Sequence, residues 1–234
     1  KQIVKLDKIL IQNFIEHLKY SIKVLANNFN SYFMFSVTRL TSKYLVGDKM
    51  VGFFQPIYQI LGSVNIFSAS GKLTSLSFGK MKEINKNLKP SYNRIILLQL
   101  IIIIILALFH DNIIRVVYGE KFSDYSVFIL YLLIGQIFNV INGPTNNILL
   151  LNNGESIIGV ASLISLLVNI SGNILGLTIG SIPITVGATS LSIIISSLLP
   201  MIILKAKRNV IIVSKLNLVI SIATLFLVTL LILL

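Results

Sequence analysis

Residues 95–108, IILLQLIIIIILAL, carry one polar side chain, Gln99, and no charge. Apolar stretches of this kind recur along the chain, separated by short polar segments. A helix that crosses a bilayer needs about 20 mostly apolar residues. On that criterion we expect seven spans, at roughly 21–41, 50–70, 93–113, 125–150, 156–178, 182–204 and 216–234. The first, with IKVLANNFNSYFMFSVTRLT, is weak on hydropathy alone. Ahead of it, IVKLDKILIQNFIEHLKYSI sets Val4, Ile11, Ile15, Leu18 and Ile22 at helical spacing, with Lys5, Asp7, Lys8 and Glu16 among the polar positions. Residues 1–20 therefore read as an amphipathic helix, lying on the membrane surface or packed on neighbouring loops.

Composition turns this pattern into a fold class. The chain is 55% hydrophobic and only 12% charged, where soluble domains carry about 25% charged residues. Its mean hydropathy is +0.88. A water-soluble domain is excluded, and an all-α, polytopic bundle of transmembrane helices is expected. With no cysteine, disulfides and thiolate-bound metals are excluded, and His17 and His110 are too far apart to suggest a shared metal. No metal, cofactor or catalytic residue is expected. The first strongly apolar stretch lies deep in the chain, which does not suit a cleavable signal peptide. The sequence starts on Lys1 and stops on Leu234 within an apolar run, so we expect it to be part of a longer protein.

The net charge of +12 sets the orientation of these spans rather than pointing to nucleic acid. Lys1, Lys5, Lys8, Lys19 and Lys23 fall on one side, followed by Lys80, Lys82, Lys86, Lys89 and Arg94, then Lys205, Lys207, Arg208 and Lys215. Those 14 basic residues face Asp7, Glu16, Glu83 and Glu155. The other side has Arg39, Lys43, Lys49, Arg115 and Lys121 against Asp48, Asp111, Glu120 and Asp124. Cytoplasmic loops collect Lys and Arg, so the fragment should start inside and end outside. Positive charge spread over short loops suits anionic lipid and topology, not DNA.

Polar side chains inside spans face other helices or water-filled cavities. At 100° per residue, Lys23, Asn27, Asn30, Ser31, Thr38, Thr41 and Ser42 share a sector of the first span. Gln136, Asn139, Gly143, Asn146 and Asn147 share one in the fourth, and Ser162, Ser165, Asn169, Gly172, Asn173 and Gly176 one in the fifth. The fifth face suits close helix packing through small residues. The first and fourth carry larger amides, which suit a hydrated cavity that Gln55, Gln59 and Asn65 of the second span would join. No span holds paired carboxylates for a proton relay, and no Ser, His and Asp set supports nucleophilic catalysis. Arg39, Lys43 and Lys72 lie at or near span ends, placed either to snorkel to headgroups or to face an anion in the cavity. Lys23 and Arg39 are the first candidates for the second role.

Three stretches, in order between about residues 39 and 200, resemble a known family: SKYLVGDKMVGFFQPIYQI, RVVYGEKFSDYSVFILYLLIGQIFNVINGPTNNILLLNNGE and GLTIGSIPITVGATSLSIIIS. They are similar to the oligosaccharide-lipid flippases (Wzx type) of the multidrug/oligosaccharidyl-lipid/polysaccharide exporter superfamily. Their shared positions are mostly glycines and apolar residues, and VGATSLS departs from the commoner family pattern. The resemblance implies the second lobe of a two-lobe transporter: a six-helix lobe over 21–204, then a basic loop and an additional helix over 205–234. It implies alternating access around a central cavity in the bacterial cytoplasmic membrane, the cargo being an undecaprenyl-diphosphate-linked oligosaccharide repeat unit for polysaccharide or O-antigen synthesis. A polysaccharide polymerase and a chain-length regulator are implied partners. The cavity candidates are Lys23, Asn27, Asn30, Thr38, Arg39, Gln55, Gln59, Gln136, Asn139, Asn142, Asn146 and Asn147, with Gly143 and Pro144 as a hinge. A cation-coupled, MATE-like drug or metabolite antiporter is the alternative within the superfamily. A membrane-embedded polymerase or acyltransferase is a further one, disfavoured because no loop exceeds about 20 residues.

Overall fold

The computed structural model describes residues 14, 18, 21, 29, 32–76, 89–151, 154–208 and 214–233; the side chains of residues 56, 63, 65–76, 89, 91, 144, 147, 148, 150, 151, 207 and 208 lie outside that description. Among the described residues the chain is helical with no strand. Helix α1 covers residues 32–46. It is followed by α2 (Asp48–Leu76), α3 (Lys89–Leu108), α4 (His110–Tyr118), a 3-10 turn (Glu120–Tyr125), α5 (Val127–Leu151), α6 (Glu155–Ile179), α7 (Ile182–Arg208) and α8 (Lys215–Leu233).

Glycine punctuates these helices where the backbone demands it. Gly47 (φ 97°) separates α1 from α2, and Gly119 (φ 93°) separates α4 from the 3-10 turn. The end of α6 is a Schellman closure: Gly180 is left-handed, its N–H donates to Leu177 O, and Ser181 N–H donates to Gly176 O at 2.9 Å. At the NNGE turn, Gly154 N–H donates to Leu149 O at 2.7 Å. A Cβ on Gly154 would come within 2.8–3.0 Å of Leu149 atoms, so a side chain there would force the turn open.

Helix α5 is the hub, packed against α2, α3, α7 and α8, while α6 packs chiefly on α7. Its core is apolar: Phe53, Phe54 and Ile57 of α2, Ile96, Leu100 and Ile103 of α3, and Leu130, Leu132 and Leu133 of α5 are buried. The outside is apolar too. Leu98, Ile101 and Ile105 of α3, Leu163, Leu167 and Ile174 of α6, and Leu218, Ile222 and Phe226 of α8 are exposed, whereas Asn169, Asn173, Thr185, Thr189, Asn217, Ser221 and Thr224 are buried. Soluble monomers rarely expose such continuous apolar surface; with polar groups turned inward, the distribution belongs to a protein whose solvent is lipid. Among the described residues, by length and apolarity, α6, residues Ile182–Ala206 of α7, and α8 can cross a membrane, and a fourth span is reached if Tyr92–Leu108 and His110–Tyr118 count as one bent unit.

That bend corrects the span expected at 93–113. The apolar helix stops at Leu108, and α4 leaves it at 79°. The turn is at Phe109 (φ −111°, ψ 17°), where the apolar run gives way to His110, Asp111 and Asn112. The bend coincides with this polar step, where His110 Nδ1 shares a hydrogen bond with Ala107 O at 2.9 Å.

The final helix is an integral part of the bundle. Asn217, Ser221, Thr224 and Val228 form its buried stripe. Asn217 Nδ2 donates to both O and Oδ1 of Asn93 at 3.0 Å, and Asn93 Oδ1 also accepts from Ser214 N–H. The Lys89–Arg94 start of α3 and the Lys215 start of α8 therefore lie at one end. At the other end Phe53 of α2 stacks on Phe122 of the 3-10 turn at 6.1 Å, which brings the Asp48 region beside the Glu120–Tyr125 region. The geometry thus groups Arg94 and Lys215, at the starts of α3 and α8, apart from the Asp48 and Glu120–Tyr125 regions.

Candidate functional site

The polar residues separate into a sealed knot and two more open surfaces. In the knot, Thr38 of α1 meets Thr189 of α7 through a short hydroxyl–hydroxyl hydrogen bond. Asn169 Nδ2 donates to Thr38 Oγ1 at 3.3 Å and to Thr189 Oγ1 at 3.2 Å. Asn173 Nδ2 donates to Thr38 Oγ1 at 3.2 Å and to Asn169 O at 2.8 Å. All four residues are buried, and Met34 Sδ below them accepts from Ser192 Oγ at 2.8 Å. Amides and hydroxyls placed this way join three helices in a medium that offers them no water.

Close backbone approach makes the knot possible. A Cβ on Gly172 would fall 2.4 Å from Ala188 Cβ, and one on Gly176 would fall 2.3 Å from Thr185 Cγ2. A Cβ on Gly135 of α5 would meet Ser190 O of α7 at 2.9 Å. The small-residue face of the fifth span is thus a packing face. Thr38 departs from the expectation of a cavity position: it is fully buried and bonded to α6 and α7. Thr41 is buried with its hydroxyl on Val37 O, and Ser42 is buried with no hydrogen-bond partner among the described residues.

The first open surface joins α1 to α2. Arg39 Nη2 donates to Gln55 Oε1 at 2.8 Å, and the guanidinium carbon lies 5.7 Å from the centroid of the Tyr58 ring. Tyr58 is fixed in turn by Phe35 (4.5 Å) and Phe54 (5.6 Å). Arg39 is half-buried, and its Nε is buried without a hydrogen-bond partner among the described residues. Gln55 and Gln59, one helical turn apart, are exposed. Lys43, by contrast, is engaged with Asp48 at 2.9 Å, both side chains largely exposed. That carboxylate accepts a hydrogen bond from the ammonium and raises the Lys43 pKa above the usual lysine value.

The second surface is a ladder of amides along α5. Asn139 Nδ2 donates to Gln136 Oε1 at 3.3 Å, and Asn142 Nδ2 donates to Asn146 Oδ1 at 3.4 Å. Gln136 and Asn142 are buried, while Asn139, Gly143 and Asn146 are half-buried. The Asn142 Oδ1 is buried and has no hydrogen-bond partner among the described residues. The expected hinge lies inside a continuous helix, since α5 runs through Gly143 to Leu151.

No family model, curated protein or solved structure matches this chain. Lys23, Asn27 and Asn30, and the side chains of Lys72, Asn65, Pro144 and Asn147, lie outside the described residues.

Of the remaining sequence candidates, the structure brings Arg39 to Gln55, Gln136 to Asn139, and Asn142 to Asn146, and it places Thr38 elsewhere, in the knot. Sequence reading missed Tyr58 as the platform for Arg39; its signal was the spacing of Gln55, Tyr58 and Gln59, which puts an aromatic ring within reach of both amides. Water access should separate these environments. On this cysteine-free sequence, a cysteine at Gln59 is expected to react with a water-soluble thiol reagent, while one at Thr38 stays silent. Equal labelling rates would mean that the knot opens to water.

Proposed function

We propose that this chain is one lobe of a membrane transporter that turns a lipid-linked oligosaccharide from the cytoplasmic to the outer leaflet of a bacterial cytoplasmic membrane. In this reading α1, α2 and α5 cross the bilayer along with α3, α6, α7 and α8, giving the seven spans and the second-lobe architecture. Alternating access exposes the polar surfaces to each side in turn. The cargo is a polyprenyl-diphosphate-linked repeat unit, and a polymerase and a chain-length regulator act on it after transfer.

The observation that carries this reading is the Arg39–Gln55–Gln59 surface. Amides and a guanidinium on spanning helices are stable when they meet water or a polar ligand, and costly when they meet acyl chains. A guanidinium braced by one amide and one aromatic ring still has donors to offer a diphosphate. The α5 amides supply the neutral hydrogen-bonding groups that sugar hydroxyls need. Two measurements test the reading. The full-length protein, reconstituted in vesicles with a fluorescent polyprenyl-diphosphate oligosaccharide, is expected to move the label between leaflets faster than protein-free vesicles. An equal rate in the two would sink the flippase. Reporters fused after Asn85 and after Lys121 are expected on the cytoplasmic and outer sides respectively, and finding both on one side would sink the topology.

A further inference from the structure

Helix α4 leaves α3 almost at a right angle, and its nine residues are sorted into three flanks. At 100° per residue, Ile113, Val116 and Val117 lie on one flank, Asp111, Asn112 and Arg115 on another, and His110, Ile114 and Tyr118 between them. Ile114 is fully buried against the bundle, whereas Val116 is 85% and Val117 60% exposed. The polar flank is closed by the Arg115–Asp111 ion pair at 2.9 Å, and Asp111 also accepts from Ser126 Oγ at 3.3 Å. We propose that α4 lies in the membrane–water interface as a shelf, with Val116, Val117 and Ile113 inserted among the lipids and Asn112 and Arg115 in water.

Three observations name lipid as the occupant of this apolar flank. When α3 crosses the bilayer, a 79° bend leaves α4 close to the membrane plane. The exposed valines continue an apolar surface that already runs through Leu98, Ile101, Ile105, Leu108 and Phe109. Tyr118 ends α4 and Tyr125 follows in the 3-10 turn, and tyrosine side chains concentrate at the headgroup level. Phe122 and Tyr125 rest on Phe53 at 6.1 and 5.6 Å, tying the shelf to α2. Charge takes no part in the attachment: residues 110–125 contain Arg115 and Lys121 against Asp111, Glu120 and Asp124. Insertion by apolar contact alone should be indifferent to salt and to the anionic lipid fraction.

This inference rests on α3 crossing the membrane and is independent of the cargo. Single cysteines at Ile101, Asn112 and Val117, introduced into the full chain and spin-labelled in phosphatidylethanolamine/phosphatidylglycerol vesicles, test it by relaxation with oxygen and with a water-soluble nickel chelate. The Val117 label is expected to show a several-fold higher oxygen-to-nickel ratio than the Asn112 label, unchanged by high salt or by more phosphatidylglycerol. A Val117 ratio equal to that of Asn112, with Ile101 still in lipid, would put α4 in water and overturn the proposal while leaving the span intact. Shielding of Val117 from both reagents would mean a protein contact, such as a second copy, and would overturn it as well. Nickel access at Ile101 would remove both the span and the shelf.

Discussion

Replacing Gly172 with alanine is expected to destabilise the bundle, and replacing Ala188 with glycine in the same chain is expected to restore much of the loss. The new methyl would fall 2.4 Å from Ala188 Cβ, and its next neighbour is Ala188 Cα at 3.5 Å. Nearly the whole clash is therefore with one methyl group. Overpacking of this kind costs about 1–3 kcal/mol, here by prising α6 from α7 and stretching the bonds from Asn169 to Thr38 and Thr189. Ala188→Gly alone should cost about 1 kcal/mol through helix propensity. Because the two residues touch, their effects should not add, and a favourable coupling of about 0.5–3 kcal/mol is expected. Thermal unfolding in detergent of the two single variants and the double variant measures it. A double variant as unstable as the sum of the singles would refute the close α6–α7 approach. Gly176 offers no such rescue, because Ser181 O and Thr185 N, both backbone atoms, also lie 3.1 Å from its Cβ position.

Gly172 also shows what could be read from sequence and what could not. Small residues recurring every three or four positions from Ser162 to Gly176 already marked a packing face, because a helix in lipid gains most from close contact where side chains are smallest. Helix positions were legible for the same kind of reason: apolar run length is set by bilayer thickness. Direction was harder. Thr38 belongs to the same polar sector as Asn27 and Asn30, and helical periodicity alone cannot distinguish a sector facing water from one facing Asn169 and Asn173 on another helix. Both environments satisfy polar groups, so both yield the same pattern. The break at Phe109 escaped because span length was counted through to Ile113, whereas the polar His110-Asp111-Asn112 step lies three residues earlier. Nothing in the local sequence singles out Asn217, and only its contact with Asn93, 124 positions away, reveals that it fixes α8 to α3.

Replacing Arg39 with alanine is expected to cut surface polysaccharide sharply while leaving the protein level unchanged. In the proposed transport cycle a diphosphate must cross an apolar medium, where an uncompensated charge costs several kcal/mol even after relaxation. Arg39 is equipped to offset that cost. Gln55 Oε1 holds one terminal nitrogen at 2.8 Å, the Tyr58 ring supports the guanidinium face at 5.7 Å, and Nε is buried without a partner among the described residues. Hydrogen bonds to charged groups contribute about 1.5–3 kcal/mol, and 1.4 kcal/mol is about tenfold in affinity. Loss of the side chain should therefore weaken headgroup binding by about 10- to 100-fold. Arg39→Lys should restore part of the output, since charge persists while the planar fork is lost. Gln55→Glu is the sharper companion: a carboxylate 2.8 Å from the guanidinium would occupy the cation itself, so transport should fall although Arg39 is intact. The protein level of each variant controls for folding, because Arg39 and Gln55 lie outside the buried knot and the apolar core. Normal polymer from both Arg39→Ala and Gln55→Glu would show that the guanidinium only bridges α1 and α2, and that the cation meeting the diphosphate lies elsewhere in the transporter.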